Sequence, residues 1–129
     1  MRPPALLKGP RDAGSTTLET VILFPATLLL LCAAVQAGLW YHARAVCLAA
    51  AEEGARAGAV VDGSSYIAAD TALSFMRRAA HGIVTDSGVI ATRGWNEVEV
   101  TVVADGLSLV PGWTPHIAET ARLPVERRT

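Results

Sequence analysis

Hydrophobic and polar positions divide the chain into stretches with different periods, and the first of these is the longest. From position 20 to position 41, 22 consecutive residues carry no formal charge. As an α-helix, the apolar run at 21–41 would measure roughly 31 Å, which matches a hydrocarbon core about 30 Å thick. Trp40 and Tyr41 end the run, where aromatic side chains favour the membrane interface. We therefore predict a membrane-spanning helix over about residues 20–41.

The alanine-rich residues after the apolar run predict that this helix continues beyond the membrane. Ala is the best helix former, and no Pro occurs between His42 and Val61. The pair Asp62-Gly63 then supplies a stop signal. We predict one long helix over residues 15–61. Its small residues would allow the outer half to pack closely against a sheet or another helix.

The distal part of the chain changes period twice. Apolar residues recur at intervals of three and four over about residues 65–80, which predicts a short amphipathic helix. Strict alternation predicts strands over residues 97–104 and 117–123, and a shorter strand at 89–92 joins the first of them through a hairpin. Residues 107–115, with two Pro and a Gly, predict a loop. The predicted fold class is α+β, with a long N-terminal membrane-spanning helix, a short second helix and a small antiparallel three-stranded sheet.

Composition supports membrane contact and excludes two classes of protein. The chain has 129 residues, of which 51% are hydrophobic and 18% are charged. Soluble domains have roughly 25% charged residues. The short length excludes a soluble two-domain enzyme. The formal net charge of -1 leaves no basic face, so we expect no nucleic acid partner.

Basic residues ahead of the span predict its orientation. Arg2, Lys8 and Arg11 precede the apolar run, and positive charges favour the cytoplasmic side. We expect a single-pass protein of the cytoplasmic membrane, with its N-terminus inside and residues 62–129 forming a small α+β domain outside. One alternative is a signal peptide cut after Ala37, which would release a secreted binding domain. Another is a permanent single-pass anchor for a small binding domain.

Pro25 and two cysteines stand out within the helical region. Pro25 lacks an N–H group and clashes with the preceding turn, which predicts either a harmless kink or a functional hinge. On one helix, Cys32 and Cys47 would lie roughly 22 Å apart and could not pair with each other. We expect both to be small buried or lipid-facing residues. The alternative is an intermolecular disulfide through Cys47 in an oxidising environment.

The residues just before the span carry the most specific signal. Gly14 ends a short basic leader, Ser15 follows it, and Glu19 stands at the start of the apolar run. This arrangement resembles the processing site of type IV prepilins, in which a membrane-embedded aspartic peptidase cuts after a Gly on the cytoplasmic side. The resemblance implies a leader of residues 1–14, a cut between Gly14 and Ser15, and Glu19 as the fifth residue of the mature chain.

Glu19 has two interpretations. A carboxylate at the edge of hydrocarbon costs about 2–3 kcal/mol and is a functional candidate by default. The prepilin resemblance implies that Glu19 lies near the Ser15 amine of a neighbouring subunit and sets the register of an assembling filament. The alternative is helix-start electrostatics, because a carboxylate in the first turn complements the helix dipole by about 0.3–1 kcal/mol.

A second motif adds to this resemblance. Residues 51–57 read Ala-Glu-Glu-Gly-Ala-Arg-Ala, which is similar to the alanine-rich stretch after the membrane helix of TadE-like proteins of the tight-adherence pilus system. Glu52 stands where Arg is common. The resemblance implies a minor pseudopilin that supports assembly of a thin Flp-type pilus. The implied partners are a prepilin-type peptidase, other pilins or pseudopilins, tight-adherence secretion components and membrane lipid.

Side chains that could support catalysis or metal binding are scattered along the chain. His42, His81 and His116 have no partner at the spacing of metal ligands. The glycines form no phosphate-binding loop, and no nucleophile elbow occurs. We expect no catalytic residue, no metal site, no cofactor and no enzymatic activity.

Overall fold

The computed structural model describes residues 13–128, with side chains from Thr17 onward. The greater part of the predicted leader, residues 1–12, lies outside the described residues. Over the described range the strands form one antiparallel sheet in the order β1-β2-β3, and the predicted fold class is confirmed. The helices and strands of this range are α1 (Ala13–Ala59), α2 (Ser65–Ala79), β1 (Val84–Arg93), β2 (Glu97–Gly106) and β3 (His116–Pro124).

Helix α1 is the long helix that the sequence predicts, with shifted ends. It has 47 residues, begins two residues earlier than predicted and ends at Ala59, two residues before the predicted limit. A turn follows at once, in which the Gly63 N–H donates to the Val60 carbonyl at 2.9 Å. A side chain on Gly63 would overlap the Gly58 carbonyl. The turn therefore requires glycine at this position.

Strand β1 is longer than predicted. It has ten residues, whereas alternation indicated only 89–92. The added part includes Thr85, Asp86 and Ser87, which are polar and exposed and so give no apolar period. Pairing with β2 defines this part as a strand, in a register that runs from Val84 opposite Gly106 to Arg93 opposite Val98. Polar residues are tolerated there because β1 is an edge strand.

The chain divides into two compact units, Met1–Val35 and Gln36–Thr129. In the first unit, every described side chain from 17 to 35 is exposed. The second unit encloses a core of mostly small side chains that come from three elements and one residue of β3. The core residues are Ala43, Cys47, Ala50, Ala51, Ala55 and Ala59 of α1, Ala68, Ala72 and Met76 of α2 with Ala80 after it, Val98, Val100, Val102 and Ala104 of β2, and Ile117.

Two glycines allow α1 to lie close to α2 within the second unit. A Cβ on Gly54 would lie 2.7 Å from the Ala68 carbonyl oxygen and 2.9 Å from the Ala72 Cβ. A Cβ on Gly58 would lie 2.8 Å from the Ala68 Cβ. The pair has the four-residue spacing that lets helix backbones approach each other. Close packing of the outer half of the helix, as predicted from its small residues, is confirmed.

The two cysteines have different environments. Cys47 is fully buried in the core of the second unit, whereas Cys32 is exposed, and both thiols are free. An intermolecular disulfide through Cys47 would require the second unit to open. The structure therefore favours the interpretation of Cys47 as a small buried residue.

Candidate assembly site

The processing, assembly and kink residues predicted from the sequence all lie on α1. Gly14 and Ser15 are its second and third residues, and Glu19 is its seventh. The backbone nitrogen of Ser15 and the carboxylate-bearing residue Glu19 are four positions apart, which places them on the same side of the helix. Pro25 follows six residues later. Processing at Gly14 and the assembly role of Glu19 stay predictions.

Glu19 is exposed, and within the described range no basic side chain forms an ion pair with it. It lies beyond the first turn of α1, which contains no acidic residue. Because the effect of the helix dipole falls off within that turn, helix-start electrostatics explains little of its position. The carboxylate is accessible to a cation on another molecule.

Large apolar side chains occupy the first unit on all sides of the helix. Leu18 is 67% exposed and Leu30 is 73% exposed. A continuous exposed apolar surface of this kind marks a contact with membrane or protein. The other large exposed residues of this surface are Val21, Ile22, Leu23, Phe24, Leu28, Leu29, Leu31 and Val35.

This helix satisfies the requirements for a membrane span. The helical residues Thr17–Ala59 include a stretch long and apolar enough to cross a membrane, judged by length and composition. The prediction of one apolar N-terminal helix of spanning length is confirmed in that sense.

Pro25 lies inside α1 without ending it. Two residues later, the Thr27 hydroxyl donates to the Leu23 carbonyl oxygen at 2.8 Å. A proline and a hydroxyl that bonds back to the preceding turn both favour bending of a helix. The kink at Pro25, and its possible use as a hinge, stay predictions.

Gln36 is a residue whose role sequence reasoning missed. It is 8% exposed, and its amide bonds to the segment after β2 within the second unit. Its Nε2 donates to the Leu107 carbonyl oxygen at 3.2 Å, and its Oε1 accepts from the Leu109 N–H at 2.7 Å. The sequence did contain a signal for this role, because Gln36 is an amide within an apolar run. A buried amide costs free energy unless it forms hydrogen bonds.

Arg44, two turns beyond Gln36, connects α1 to the sheet. Its Nε donates to the Glu119 carboxylate of β3 at 2.5 Å. Its guanidinium also lies over the Trp40 ring, 5.6 Å from the ring centroid. The start of α1 within the second unit is therefore joined both to β3 and to the segment after β2.

Comparison with known families identifies the helical region. Residues 14–56 match the family model described as TadE-like protein. We call this range, by its similarity, the TadE-like segment. The resemblance to TadE-like proteins of the tight-adherence (Tad) pilus system is confirmed over this range. No curated protein and no solved structure gave a significant match.

The TadE-like segment lies on α1. It begins at Gly14, the predicted processing glycine, and ends at Arg56, inside the alanine-rich motif. It includes Glu19, Pro25 and Gln36. The sheet and α2 lie outside the match.

Proposed function

We propose that this chain is a minor pseudopilin of the Tad pilus that acts through helix packing and not through catalysis. The observation that carries the proposal is the TadE-like segment, which includes Gly14, Glu19 and the apolar helix in one matched region. In this proposal the N-terminus lies in the cytoplasm and the second unit lies outside. A prepilin-type peptidase removes residues 1–14. The exposed apolar surface of the first unit then packs against lipid and against related pilus subunits.

Glu19 would define the register of that packing. Removal of the leader leaves a positively charged amine on Ser15, and a carboxylate and an amine are each costly in hydrocarbon when alone. Pairing Glu19 with the Ser15 amine of a neighbouring subunit satisfies both charges at one axial offset. Pairing within the same chain is also possible at this spacing, and it would give no register between subunits.

The environment of Gln36 argues against release of a secreted domain. A cut after Ala37 would remove Gln36, whose amide is bonded to Leu107 and Leu109 inside the second unit. The Leu107 carbonyl and the Leu109 N–H would lose these part-buried hydrogen bonds, at a cost of about 0.5–1.5 kcal/mol each. A chain that begins before residue 36 keeps these bonds.

The first test is the N-terminus of the mature protein. Intact mass and N-terminal sequencing of membrane-extracted protein, produced together with its own peptidase, should give a chain that begins at Ser15. Gly14→Val should block the cut, whereas Gly9→Val, a glycine of the same leader, should not. A start at Gly38 would replace the proposal with secretion. An intact chain would indicate a permanent anchor.

The second test concerns the charge on Glu19. We expect Glu19→Gln to reduce co-purification of pilus subunits by about tenfold or more, which corresponds to about 1.4 kcal/mol. Resistance to alkaline extraction from membranes should not change, because the apolar run is intact. Glu97→Gln, which alters an exposed carboxylate of β2, is the matched control. Normal assembly with Glu19→Gln would remove the assembly role from this residue.

A further inference from the structure

The segment between β2 and β3, residues 107–115, presents an apolar surface that the second unit leaves exposed. None of its nine residues is charged. We call this segment the β2–β3 loop. Its large apolar side chains are exposed by 38% to 52%, and these residues are Leu107, Leu109, Val110 and Trp113.

The β2–β3 loop is fixed to α1 at a defined height. Its Leu107 carbonyl and Leu109 N–H bond to the amide of Gln36. Gln36 lies five residues before Tyr41, which is about 7.5 Å along the helix axis. If Trp40 and Tyr41 lie at the membrane interface, the attachment point lies on the hydrocarbon side of their rings.

Part of the loop backbone forms hydrogen bonds within the protein and so does not need water as a partner. The N–H groups of Leu107, Val110 and Trp113 donate to the Ile83 carbonyl, the Ser108 hydroxyl and the Val110 carbonyl, at 3.0, 3.1 and 3.3 Å. Together with the Leu109 N–H, four of the seven backbone N–H groups of the loop donate within the protein. Irregular backbone that faces lipid is excluded from the hydrocarbon region, because unsatisfied polar groups are costly there, so these bonds favour insertion of only the apolar tip at the interface.

The turn at the tip of the loop orients its apolar residues. Pro111 and Gly112 are the central residues of the turn that the bond from Trp113 to Val110 closes, and Gly112 has a φ of 79°. This is the pattern of a type II turn, in which Gly supplies the positive φ. Val110 and Trp113 flank the turn and are both about half exposed.

We propose that the β2–β3 loop inserts its apolar tip into the lipid leaflet beside the second unit and so forms a membrane contact additional to α1. Segments that bind at the interface bury their apolar face by about 5–10 Å, which agrees with the height at which Gln36 holds the loop. The contact explains why an amide lies within the apolar run: Gln36 and the loop backbone satisfy each other. The proposal requires insertion of α1 but does not rest on a pilus role.

The three tryptophans of the chain provide the test and its controls. Trp113 lies on the loop, and Trp40 lies near the predicted interface. Trp95 is 82% exposed in the β1–β2 hairpin. Arg93, at the base of that hairpin, bonds to the Val60 carbonyl beyond the end of α1, about 35 Å along the helix axis from Gln36. Trp95 is therefore far from the proposed contact.

The experiment uses three full-length chains that each keep one tryptophan, with the other two changed to Phe, in phosphatidylcholine vesicles. Brominated lipid should quench Trp113 within about twofold of its effect on Trp40, the interfacial reference. It should leave Trp95 unquenched, and iodide in the aqueous phase should show the reverse order. Zwitterionic lipid is chosen because Arg77 and Arg78, at the end of α2, would add attraction to anionic lipid.

Substitutions in the loop give a second readout. In the chain that keeps only Trp113, Val110→Asp should reduce quenching by brominated lipid at least about threefold, because a charge opposes burial in lipid. The same change in the chain that keeps only Trp40 should have no effect. Val110 is exposed, so its replacement leaves the core intact, and the circular dichroism of each variant checks folding.

Three results would overturn the proposal. The first is a Trp113 that iodide quenches as strongly as Trp95, which places the loop in water. The second is a Trp113 shielded from both iodide and brominated lipid, which places the loop against a second copy of the chain. The third is the absence of lipid quenching for both Trp40 and Trp113, which means that α1 is not inserted. Failure of pilus assembly would alter none of these measurements.

Discussion

The two units use apolar residues in opposite ways. From residue 17 to residue 35, large side chains such as Leu29 and Leu30 are exposed. From residue 36 onward, the buried positions of α1 hold Ala, Gly and Cys together with the Gln36 amide. The second unit buries apolar residues in a core of its own and leaves the β2–β3 loop exposed, whereas the first unit can cover its apolar surface only with lipid or with another protein. The first unit therefore depends on association for all of its apolar surface, whereas the second unit folds around its own core.

The comparison also shows that side-chain size does not identify the core of this protein. The four consecutive leucines at 28–31 are large and strongly hydrophobic, yet they lie on the surface. The core depends on close approach, in which alanines and glycines of α1 face Ala68, Ala72 and the valines of β2. Interiors packed at this density respond to the addition of even one methyl group.

The largest expected effect comes from adding a methyl group at the closest approach. Gly54→Ala should lower the free energy of unfolding by about 2–3 kcal/mol, because the new Cβ would lie 2.7 Å from the Ala68 carbonyl oxygen. Gly38→Ala on the same helix meets nothing within 4 Å and should be neutral or slightly stabilising. Denaturant unfolding of the full chain in detergent, followed by near-UV circular dichroism, measures both. Equal stability of the two variants would contradict the close helix packing.

A smaller loss should follow from a cavity at the centre of the sheet. Val100 is fully buried on the inner face of β2, and Val103 on the opposite face is 38% exposed. Val100→Ala should cost about 2 kcal/mol, because apolar transfer energy is lost and a cavity is left. Val103→Ala should cost less than about 0.5 kcal/mol. The same unfolding experiment compares them, and a larger loss at Val103 would reverse the assignment of faces.

The fold was predictable where one period dominated. The apolar run, the alanine-rich continuation and the alternation of β2 each specify an element and the face that it buries. The first half of β1 was not predictable, because Asp86 and Ser87 form a strand only through pairing with β2. The two ends of α1 were also displaced, since local signals fix helix ends less firmly than helix interiors.

Some residues of the candidate site were likewise predictable from the sequence, and others were not. Gly14 and Glu19 were found because they lie five positions apart in one short linear motif. The role of Gln36 depends on Leu107 and Leu109, which are more than 70 residues away in the sequence. A linear pattern can mark such an amide as unusual, but it cannot name the backbone groups that satisfy it. The membrane contact proposed for the β2–β3 loop comes from this long-range pairing.

A modest effect on stability is expected at the end of α1, where Arg93 bonds to backbone carbonyls. Its guanidinium donates to the Gly63 carbonyl and to the Val60 carbonyl, the latter at 3.1 Å, and its charge complements the C-terminal end of the helix dipole. In the described part of the chain its buried Nε has no partner, which offsets part of this gain. We expect Arg93→Ala to cost about 1 kcal/mol in the free energy of unfolding.

The control for Arg93 is Arg128→Ala, which removes an exposed arginine of the C-terminal tail and should change stability by less than about 0.5 kcal/mol. Both variants are followed by the unfolding experiment in detergent. If Arg93→Ala were as stable as the unchanged protein, the end of α1 would be held by the bond from the Glu126 N–H to the Ala59 carbonyl rather than by the guanidinium.

Substitutions in the first unit should have the smallest effect on folding, but they give the most information about association. Alanine substitutions of the leucines at 28–31 should each change the unfolding free energy of the second unit by less than about 0.5 kcal/mol, because these side chains are exposed. The four positions point in directions about 100° apart around the helix. Lipid is as apolar as Leu, so a side chain that faces only lipid should tolerate truncation, whereas one packed against another helix should not.

Co-purification of pilus subunits with the four variants decides between lipid and protein as the neighbour of this surface. Leu28 and Leu31 are three residues apart and share a face, so we expect their variants to retain similar amounts of pilus subunits. Leu30 points to the opposite side of the helix from Leu28, so we expect its variant to give a different result. A loss of association on one face only would indicate a specific helix contact there. If all four variants co-purified equal amounts of pilus subunits, these leucines would face lipid. Subunit recognition would then be confined to the region around Glu19. Reduced stability of the second unit in any of them would show that the two units are not independent in the way their burial indicates.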